Sequence, residues 1–337
     1  MGRRPLKREY DEEDVRVRPG RPSRPRTRIR PRHSDAAAGF VIAVDRGRYT
    51  CVLGEERREI TAMRARELGR KAVVVGDKVA LVGDVSGERG TLARIVRIEQ
   101  RRSVLRRTAD DEDPTERVIV ANADQLVIVC SLADPPPRTG FIDRCLVAAY
   151  DADIEPVLCL TKADLPDAEK AAAELAEYYA DLDLVSVRTR PDAPLTELMD
   201  LLADAMSVLV GHSGVGKSTL VNRLIPGAGR AVGRVSGIGK GRHTSTSVAA
   251  LRLPEVDGWL VDTPGVRSFG LAHVSADSLL HGFADLAPAT ADCPPGCDHT
   301  EGAVDCALDA WVAAGKAAPG RLASYRRLLA SRDTSRD

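Results

Sequence analysis

The chain has 337 residues, and its 49 Lys and Arg side chains balance its 49 Asp and Glu side chains. The balance is uneven: residues 1–33 carry twelve basic and five acidic side chains, leaving 37 basic and 44 acidic ones for the rest. A hydrophobic share of 43% is enough to build folded cores, while no apolar run approaches the ~20 residues that cross a bilayer. The first residues also lack the apolar segment of a secretory signal. We therefore expect a cytoplasmic protein of two or three domains with no membrane partner.

The start of the chain is a basic arm by composition. From Val15 to His33, eight arginines alternate mainly with proline, serine and threonine, without an acidic residue. Such a segment cannot bury a core, so residues 1–38 are expected to be disordered. Unopposed arginines favour contact with RNA phosphates through counterion release. A solubilising tail is the alternative.

Short apolar strands separated by turn residues occupy residues 39–108. A hairpin is predicted around Arg46 and Gly47, and VVVGDKVALVG and GTLARIVRIEQ predict further strands. Several short strands in so few residues are typical of a closed barrel such as an OB-fold. If the barrel binds nucleic acid, a basic run is expected to contact the phosphate backbone; a barrel that only packs on its neighbour is the alternative. The run consists of Arg101, Arg102, Arg106 and Arg107.

After an acidic, proline-containing linker at 109–116, residues 117–272 alternate apolar strands with helical patterns. The predicted strands are DQLVIVCSL, EPVLCLTKAD, LDLVSVRT, SVLVGHSG, VAALRL and GWLVDTPG, and the predicted helices span about 140–150, 167–179 and 195–206. This alternation predicts an α/β fold with a largely parallel sheet. Residues 273–337 return to helical patterns, interrupted by a cysteine cluster.

The segment GHSGVGKST matches the phosphate-loop pattern, with an apolar strand before it and a helical pattern after it. In such loops glycines let backbone N–H groups surround phosphate oxygens, the lysine spans the terminal phosphates and the serine ligates Mg²⁺. The predicted nucleotide-binding residues are Gly211, His212, Ser213, Gly214, Val215, Gly216, Lys217, Ser218 and Thr219. Lys217 is also a candidate catalytic residue, and Ser218 is the candidate magnesium ligand. A chance glycine-rich turn is the alternative.

The tetrapeptide DTPG follows the apolar strand GWLV. Asp262 can hold Mg²⁺ through water, and the N–H of Gly265 can reach a terminal phosphate. Alone, this tetrapeptide is an ordinary turn. Together with the phosphate loop it predicts a nucleoside triphosphatase.

The tetrapeptide TKAD, residues 161–164, ends the strand VLCL. The carboxylate of Asp164 can accept hydrogen bonds from the ring N–H and the exocyclic amine of guanine, a donor pair that adenine lacks. The motif therefore favours GTP over ATP, with a helix N-cap before proline as the alternative. Near Ser186, at the end of LDLV, a backbone N–H could meet the guanine oxygen.

These motifs occur in an unusual order, because base recognition precedes the phosphate loop, which comes first in ordinary GTPases. The sequence thus resembles a circularly permuted GTPase. GRHTSTS (241–247), DTPGVRSFGL (262–271) and the cysteines that follow resemble the bacterial ribosome small-subunit-dependent GTPase A family. The resemblance covers residues 39–330 and implies an OB-fold barrel (39–108), a circularly permuted P-loop GTPase domain (117–272) and a C-terminal helical zinc-binding domain (273–337).

The resemblance also implies roles for individual residues. Thr161, Lys162, Ala163 and Asp164 would bind the base. Either Thr244 or Thr246, in a first switch loop, would ligate Mg²⁺, and His243 would position the attacking water; a solvated loop histidine is the alternative. Val266 stands where other GTPases carry a water-orienting glutamine, so unassisted hydrolysis is expected to be slow.

Four residues of the C-terminal region have the spacing of a metal site, C-x3-C-x-H-x6-C. They are Cys293, Cys297, His299 and Cys306. Three thiolates and one imidazole complete a tetrahedral Zn²⁺ shell with no open position, which predicts a structural site. The spacing departs by one residue in each outer gap from that of the similar family. Cys51, Cys130, Cys145 and Cys159 lie in apolar patterns and are predicted to be core residues.

Together, the motifs and the resemblance predict a monomeric GTPase that binds GTP, GDP and Mg²⁺ and holds one Zn²⁺. Its expected partners are the small ribosomal subunit and its rRNA, not DNA, and its expected role is late subunit maturation with hydrolysis stimulated by the subunit. A P-loop kinase or ATPase of small-molecule metabolism is one alternative. An RNA-binding scaffold with a vestigial nucleotide site is another.

Overall fold

The structure is a computed structural model that describes residues 33–54, 56–69, 72–110, 113–228, 248–263, 271 and 274–333. All but the first two of these residues belong to one compact unit. The predicted basic arm, residues 1–38, lies outside the described residues except for its last six positions.

Five strands near the start of the described chain close into a barrel. They are β1 (Ala37–Asp45), β2 (Arg48–Leu53), β3 (Arg58–Arg64), β4 (Lys78–Gly83) and β5 (Ala93–Ile98). Their order is β1-β2-β3-β5-β4, and β4 pairs back with β1. Only the β3–β5 pair is parallel. The predicted OB-type barrel is confirmed, and the predicted hairpin turns at Arg46 and Gly47, whose φ angles of 44° and 83° suit a tight turn between twisted strands.

A hairpin follows the barrel where the sequence predicted a linker. Strands β6 (Val104–Asp110) and β7 (Asp113–Ala121) pair antiparallel, with Asp110 opposite Asp113. The linker prediction was therefore wrong. Acidic composition did not exclude strands, because antiparallel pairing satisfies the backbone groups of polar residues as well as those of apolar ones.

A second set of strands forms a mostly parallel sheet. It consists of β8 (Gln125–Ser131), β9 (Glu155–Thr161), β10 (Val185–Arg188), β11 (Met206–Val210), β12 (Ala249–Arg252) and β13 (Trp259–Asp262). The order is β10-β9-β8-β11-β13-β12, and only β12 is antiparallel to its neighbour. The predicted parallel sheet is confirmed, with the phosphate-loop strand β11 at its centre.

Helices cover this sheet and continue into the C-terminal region. They are α1 (Thr139–Asp151), α2 (Ala168–Tyr178), α3 (Thr196–Leu202), α4 (Lys217–Leu224), α5 (Ala276–Leu279), α6 (Ala307–Ala313) and α7 (Pro319–Asp333). Short 3₁₀ turns occupy Arg66–Leu68, Leu280–Gly282 and Ala287–Asp292. The helix predicted at 195–206 ends early because Asp204 adopts a positive φ of 56° and Met206 begins β11. Among the described helices, none has the length and apolar character needed to cross a membrane.

The C-terminal helix α7 packs against the sheet-covering helix α1. Asp143 on α1 is 4% exposed, accepts a hydrogen bond from the Tyr179 hydroxyl at 3.0 Å and lies 3.5 Å from Nε of Arg327 on α7. Burial raises the pKa of this carboxyl, although Arg327 and Tyr179 act in the opposite direction. The Arg327 guanidinium also stacks over Tyr178, 4.3 Å from its ring centre. The C-terminal region is thus anchored on the helix that follows β8.

The barrel meets the sheet at the β12–β13 hairpin. β1 pairs with β12 through Ala43 and Ala249, so the strands of both parts form one continuous sheet. Two further contacts join the barrel to this hairpin. The Phe40 ring packs edge to face on the Trp259 ring, with centroids 4.9 Å apart, and Arg57 forms an ion pair with Asp257.

Candidate nucleotide site and metal centre

The phosphate loop connects the central strand β11 to helix α4, as the sequence predicted. Gly214 and Gly216 have φ angles of 84° and 93°, a region that favours glycine. Gly211 is required for a different reason: a Cβ there would lie 2.7 Å from the Val129 carbonyl oxygen of β8. The loop can therefore lie against the neighbouring strand while its backbone N–H groups surround an anion at the start of α4.

Lys217 and Asp262 meet across this loop. The Lys217 ammonium forms an ion pair with the Asp262 carboxylate, and their side chains are 14% and 27% exposed. Next to Asp262, the Thr263 hydroxyl donates to the Leu209 carbonyl oxygen at 2.7 Å, which fixes the end of β13 against β11. Ser218 follows Lys217 at the start of α4 and is exposed. Lys217 and Asp262, two of the predicted phosphate and magnesium residues, are thus brought together.

Thr161 is joined to the phosphate loop. Its side chain is buried, and its hydroxyl lies 2.5 Å from the Val215 carbonyl oxygen and 3.3 Å from that of Cys130. The shorter distance identifies the Val215 carbonyl oxygen as the main acceptor of this hydroxyl, and the assignment of Thr161 to the base stays a prediction. Thr161 thus joins the TKAD segment to the predicted phosphate loop.

The other TKAD residues form the turn after β9. Lys162 has a φ of 58° and donates to the carbonyl oxygen of Asp134, whereas Ala163 donates its backbone N–H to the Thr189 carbonyl oxygen at 3.2 Å. Asp164 is exposed, and its carboxylate has no hydrogen-bond partner among the described residues. This turn leaves the Asp164 carboxylate available to a ligand.

Ser186 does not lie at the end of its strand. It pairs with Leu158 inside β10, which continues to Arg188 within the predicted strand LDLVSVRT, and the assignment of a backbone N–H near Ser186 to the guanine oxygen stays a prediction. The backbone beside the TKAD turn is that of Thr189, which the sequence interpretation missed. The apolar pattern of LDLV ends before strand β10 does. β10 is an edge strand, and residues of edge strands need not be apolar.

A cavity of about 280 Å³ lies beside the phosphate loop. Its wall includes the predicted loop residues His212 and Ser213, together with Arg138 before α1. The His212 ring packs on the Phe141 ring with centroids 4.1 Å apart. The phosphate loop therefore contacts the first turn of α1 as well as β8 and β9.

Several predicted site residues lie outside the described residues. These are His243, Thr244 and Thr246 of the first switch segment and Gly265 of the DTPG segment. The assignments made for them stay predictions.

Cys293, Cys297, His299 and Cys306 converge as the spacing predicted. Their candidate ligand atoms all lie within 4.8 Å of one another, and Nδ1 of His299 lies 3.6 Å from the Cys293 sulfur and 3.7 Å from the Cys306 sulfur. His299 is 3% exposed and has a φ of 58°, which turns the chain tightly between Cys297 and Cys306. Three sulfur atoms and one nitrogen form a donor set that suits a tetrahedral metal site.

The surroundings of this cluster hold the chain in place. Arg326 of α7 donates to the His299 carbonyl oxygen at 3.3 Å and forms a two-bond ion pair with Asp309 of α6 at 2.7 and 2.8 Å. Nε2 of His299 lies 3.5 Å from a carboxylate oxygen of Asp277. The candidate metal ligands are therefore supported by helices on both sides.

The four remaining cysteines are buried, as predicted. Cys51 lies in the barrel, and Cys130, Cys145 and Cys159 lie in or beside the large sheet. Burial raises the pKa of the Cys51 and Cys159 thiols to about 12 and that of Cys130 to about 11. At neutral pH these thiols stay protonated and behave as small apolar groups.

With this geometry established, comparison with known proteins identifies the family. A family model described as RsgA GTPase matches residues 98–272. The small ribosomal subunit biogenesis GTPase RsgA of Chlorobaculum parvum is 34% identical over 312 residues, covering 89% of this chain and 99% of that protein. The chain belongs to the RsgA GTPase family.

Other relatives extend the likeness. The protein of the same name from Pseudomonas aeruginosa (strain LESB58) is 38% identical over 266 residues, covering 77% of this chain and 76% of that protein. The crystal structure of YjeQ from Thermotoga maritima is similar with a TM-score of 0.64 and 25% identity, covering 89% of this chain and 99% of that one. YloQ, whose structure is described as a circularly permuted GTPase, has a TM-score of 0.63 at 24% identity, covering 91% and 99%.

The fold of the RsgA GTPase family explains the motif order. β9 and its TKAD turn precede β11 and the phosphate loop in the chain. Both strands nevertheless belong to the same sheet. The predicted circularly permuted P-loop GTPase, with an N-terminal barrel and a Cys₃His cluster near the C-terminus, is confirmed. As a family member the protein is an enzyme that hydrolyses GTP.

The first arginine of the basic run after the barrel has an internal role that the sequence did not predict. Arg101 donates to both carboxylate oxygens of the fully buried Asp77, at 2.7 and 2.9 Å, and to the Ala72 carbonyl oxygen at 2.8 Å. Arg102 forms an ion pair with Asp124. Arg101 therefore stabilises the barrel itself, and Arg102 links the segment after the barrel to the residue before β8. The bonds of Arg101 are inconsistent with a contact to a nucleic-acid backbone, whereas for the other three arginines such a contact stays a prediction. The sequence did not reveal this because both acidic partners are more than twenty residues away.

Proposed function

We propose that this protein binds GTP with Mg²⁺, hydrolyses it to GDP and phosphate, and acts in late maturation of the small ribosomal subunit. The observation that carries the proposal is the convergence of three motifs at the carboxyl ends of parallel strands of one sheet: the phosphate loop after β11, Asp262 ending β13 and TKAD ending β9. In α/β sheets, ligands bind in the crevice outside these strand ends.

The proposed roles follow from the chemistry of each group. The backbone of the phosphate loop and Lys217 would bind the phosphates, Ser218 would ligate Mg²⁺, and Asp262 would hold it through water. When bound, Mg²⁺ supplies charge neutralisation at the phosphates. The Lys217–Asp262 ion pair supports these assignments, because it brings the phosphate-binding cation and the metal-binding carboxylate to one place. Asp164 would select guanine.

Residues outside the described part of the chain complete the proposed site. Thr244 or Thr246 would add a magnesium ligand, Gly265 would reach the terminal phosphate, and His243 would position the attacking water. At the other end of the chain, the Cys₃His cluster would bind one structural Zn²⁺, because four protein donors leave no position for a substrate.

The proposed partner is the small ribosomal subunit with its rRNA, in the cytoplasm, with the protein acting as a monomer. The names of the relatives, which are small-subunit biogenesis GTPases, support this partner. The arginines of the N-terminal arm, residues 1–38, would add phosphate contacts. Deleting residues 1–33 is then expected to flatten the salt dependence of subunit binding; an unchanged slope would indicate a solubilising tail.

The decisive experiment is GTP turnover with and without purified small subunits, with ATP as competitor and Lys217→Ala as the inactive control. Large stimulation by the subunit, lost in the control, is the expected result. Equal use of ATP and GTP would instead favour a metabolic kinase or ATPase. No hydrolysis even with subunits would favour an RNA-binding scaffold.

A further inference from the structure

Arg223 connects the phosphate-binding helix to the loop beside the TKAD turn. It lies on α4, and its guanidinium donates to the Arg190 carbonyl oxygen at 2.8 Å and to that of Ala193. Both acceptors belong to the loop between β10 and α3. We infer that Arg223 is a positioning residue for guanine selectivity, acting through this loop; the inference rests on the proposed function.

The loop that Arg223 holds is next to the proposed base site. Thr189, at its start, donates to the Leu160 carbonyl oxygen at 2.7 Å and accepts from the Ala163 N–H at 3.2 Å. The loop is thus hydrogen-bonded to the strand and the turn that carry Asp164. The Ala163–Thr189 bond places the start of this loop beside the residue that precedes Asp164.

The loop can supply the hydrogen-bond donors that guanine requires. Ala193 donates back to the Arg190 carbonyl oxygen at 3.4 Å, which forms a turn. Within the described residues, the N–H groups of Arg190 and Asp192 donate to no protein acceptor. Guanine presents a carbonyl oxygen at the position where adenine presents an amino group. A backbone N–H held here would therefore favour guanine, which is the contact first expected from Ser186.

Arg223 is suited to hold this turn. Among the described residues, no acidic side chain forms an ion pair with Arg223. Its guanidinium forms two hydrogen bonds, both to carbonyl oxygens of the loop. The planar guanidinium presents donors in a fixed fork, which binds two acceptors with little loss of side-chain freedom. Because Arg223 lies on the helix that begins at Lys217, it fixes the distance between the phosphate end and the base end of the site.

The test compares Arg223→Met, which keeps an unbranched stem and removes the guanidinium, with Arg223→Lys and with wild-type protein. Arg188→Met is the matched control, since Arg188 lies on β10 but pairs with Glu169 at the surface. Binding of GDP, ADP and inorganic tripolyphosphate to the full chain is measured by calorimetry. For Arg223→Met the GDP dissociation constant is expected to rise about tenfold, with changes below about twofold for ADP and tripolyphosphate.

Arg223→Lys keeps a cation but cannot present the fork, so it is expected to lose about threefold in GDP affinity. It also provides the measurement if Arg223→Met does not fold. Unchanged GDP-over-ADP selectivity in both variants would overturn the inference, as would an equal loss for all three ligands, which would show that Arg223 only supports α4. A wild-type protein without guanine preference would instead reject the proposed base recognition itself.

Discussion

The hydroxyl of Thr161 donates a hydrogen bond to the carbonyl oxygen of Val215 at 2.5 Å, joining the turn proposed to bind the base to the loop proposed to bind the phosphates. Both residues are buried. This bond therefore fixes the position of the proposed base-binding turn relative to the proposed phosphate loop.

Thr161→Val, which removes the hydroxyl at nearly constant volume, is expected to weaken GDP binding about tenfold, because the buried Val215 carbonyl loses its donor. Thr161→Ser keeps the hydroxyl and is expected to stay within about threefold of wild type. Dissociation constants measured by fluorescence titration check this. Equal affinities for the Val and Ser variants would show that the bond has no effect on nucleotide binding.

Asp164→Asn is expected to reduce the preference for GTP over ATP, since the amide cannot accept both guanine hydrogen bonds that the carboxylate accepts. The loss is expected to be at least about tenfold in a competition assay. Tripolyphosphate binding is the control and is expected to stay unchanged, because Asp164 is exposed on the TKAD turn and outside the phosphate loop. A variant with full guanine preference would reject the assignment of Asp164.

Arg101→Ala is expected to lower the free energy of unfolding by about 3 kcal/mol, because it leaves the buried Asp77 carboxylate without its counterion. Urea unfolding measures this loss. Arg94→Ala, an exposed barrel residue, is the control and is expected to change stability by less than about 0.5 kcal/mol. A stable Arg101→Ala protein with weakened RNA binding would restore the original interpretation of this basic run.

Metal removal is expected to lower the melting temperature by more than about 5 °C, since the four candidate ligands hold together a region of short helices. Cys297→Ser should be destabilised to a similar extent and should no longer respond to a chelator. Calorimetric scans with and without EDTA measure both effects. GDP affinity should stay within about twofold, because the cluster lies outside the nucleotide site. A chelator-insensitive wild type with no bound zinc would contradict the assignment.

Asp143 is expected to give a pH dependence opposite to that of an ordinary ion-paired carboxylate. Burial raises its folded-state pKa, so between about pH 4 and that raised value the folded state binds more protons than the unfolded state. This contribution to stability is present at low pH and is lost as the pH rises. The stability of wild type relative to Asp143→Asn should therefore fall as the pH rises above about 4 in urea unfolding experiments. A rising difference would show that Arg327 dominates the pKa.

Local motifs in the sequence were sufficient to predict the phosphate loop and the metal cluster. Gly216 and Lys217 lie next to each other in a short pattern, and all four metal ligands lie within one short segment. The strands were predictable because buried parallel strands are apolar runs.

Contacts between distant segments were not predictable in this way. Thr161 and Val215, or Arg223 and the turn at Arg190, are separated by more than thirty residues. Their side chains carry no local sign of the acceptor that they will meet. The sequence also could not distinguish a ribosome-facing arginine from one that binds a buried carboxylate, as Arg101 does with Asp77.

The position of β11 in the sheet has a consequence for how the chain folds. Its neighbours are β8, about eighty residues earlier, and β13, about fifty residues later. Closing contacts of such long sequence separation is slow, because the chain entropy is lost before the contacts form. During synthesis the TKAD segment emerges well before Asp262, so a complete nucleotide pocket cannot exist until most of the chain has been made. The strands that carry the proposed nucleotide site therefore come together only after β13 has been made.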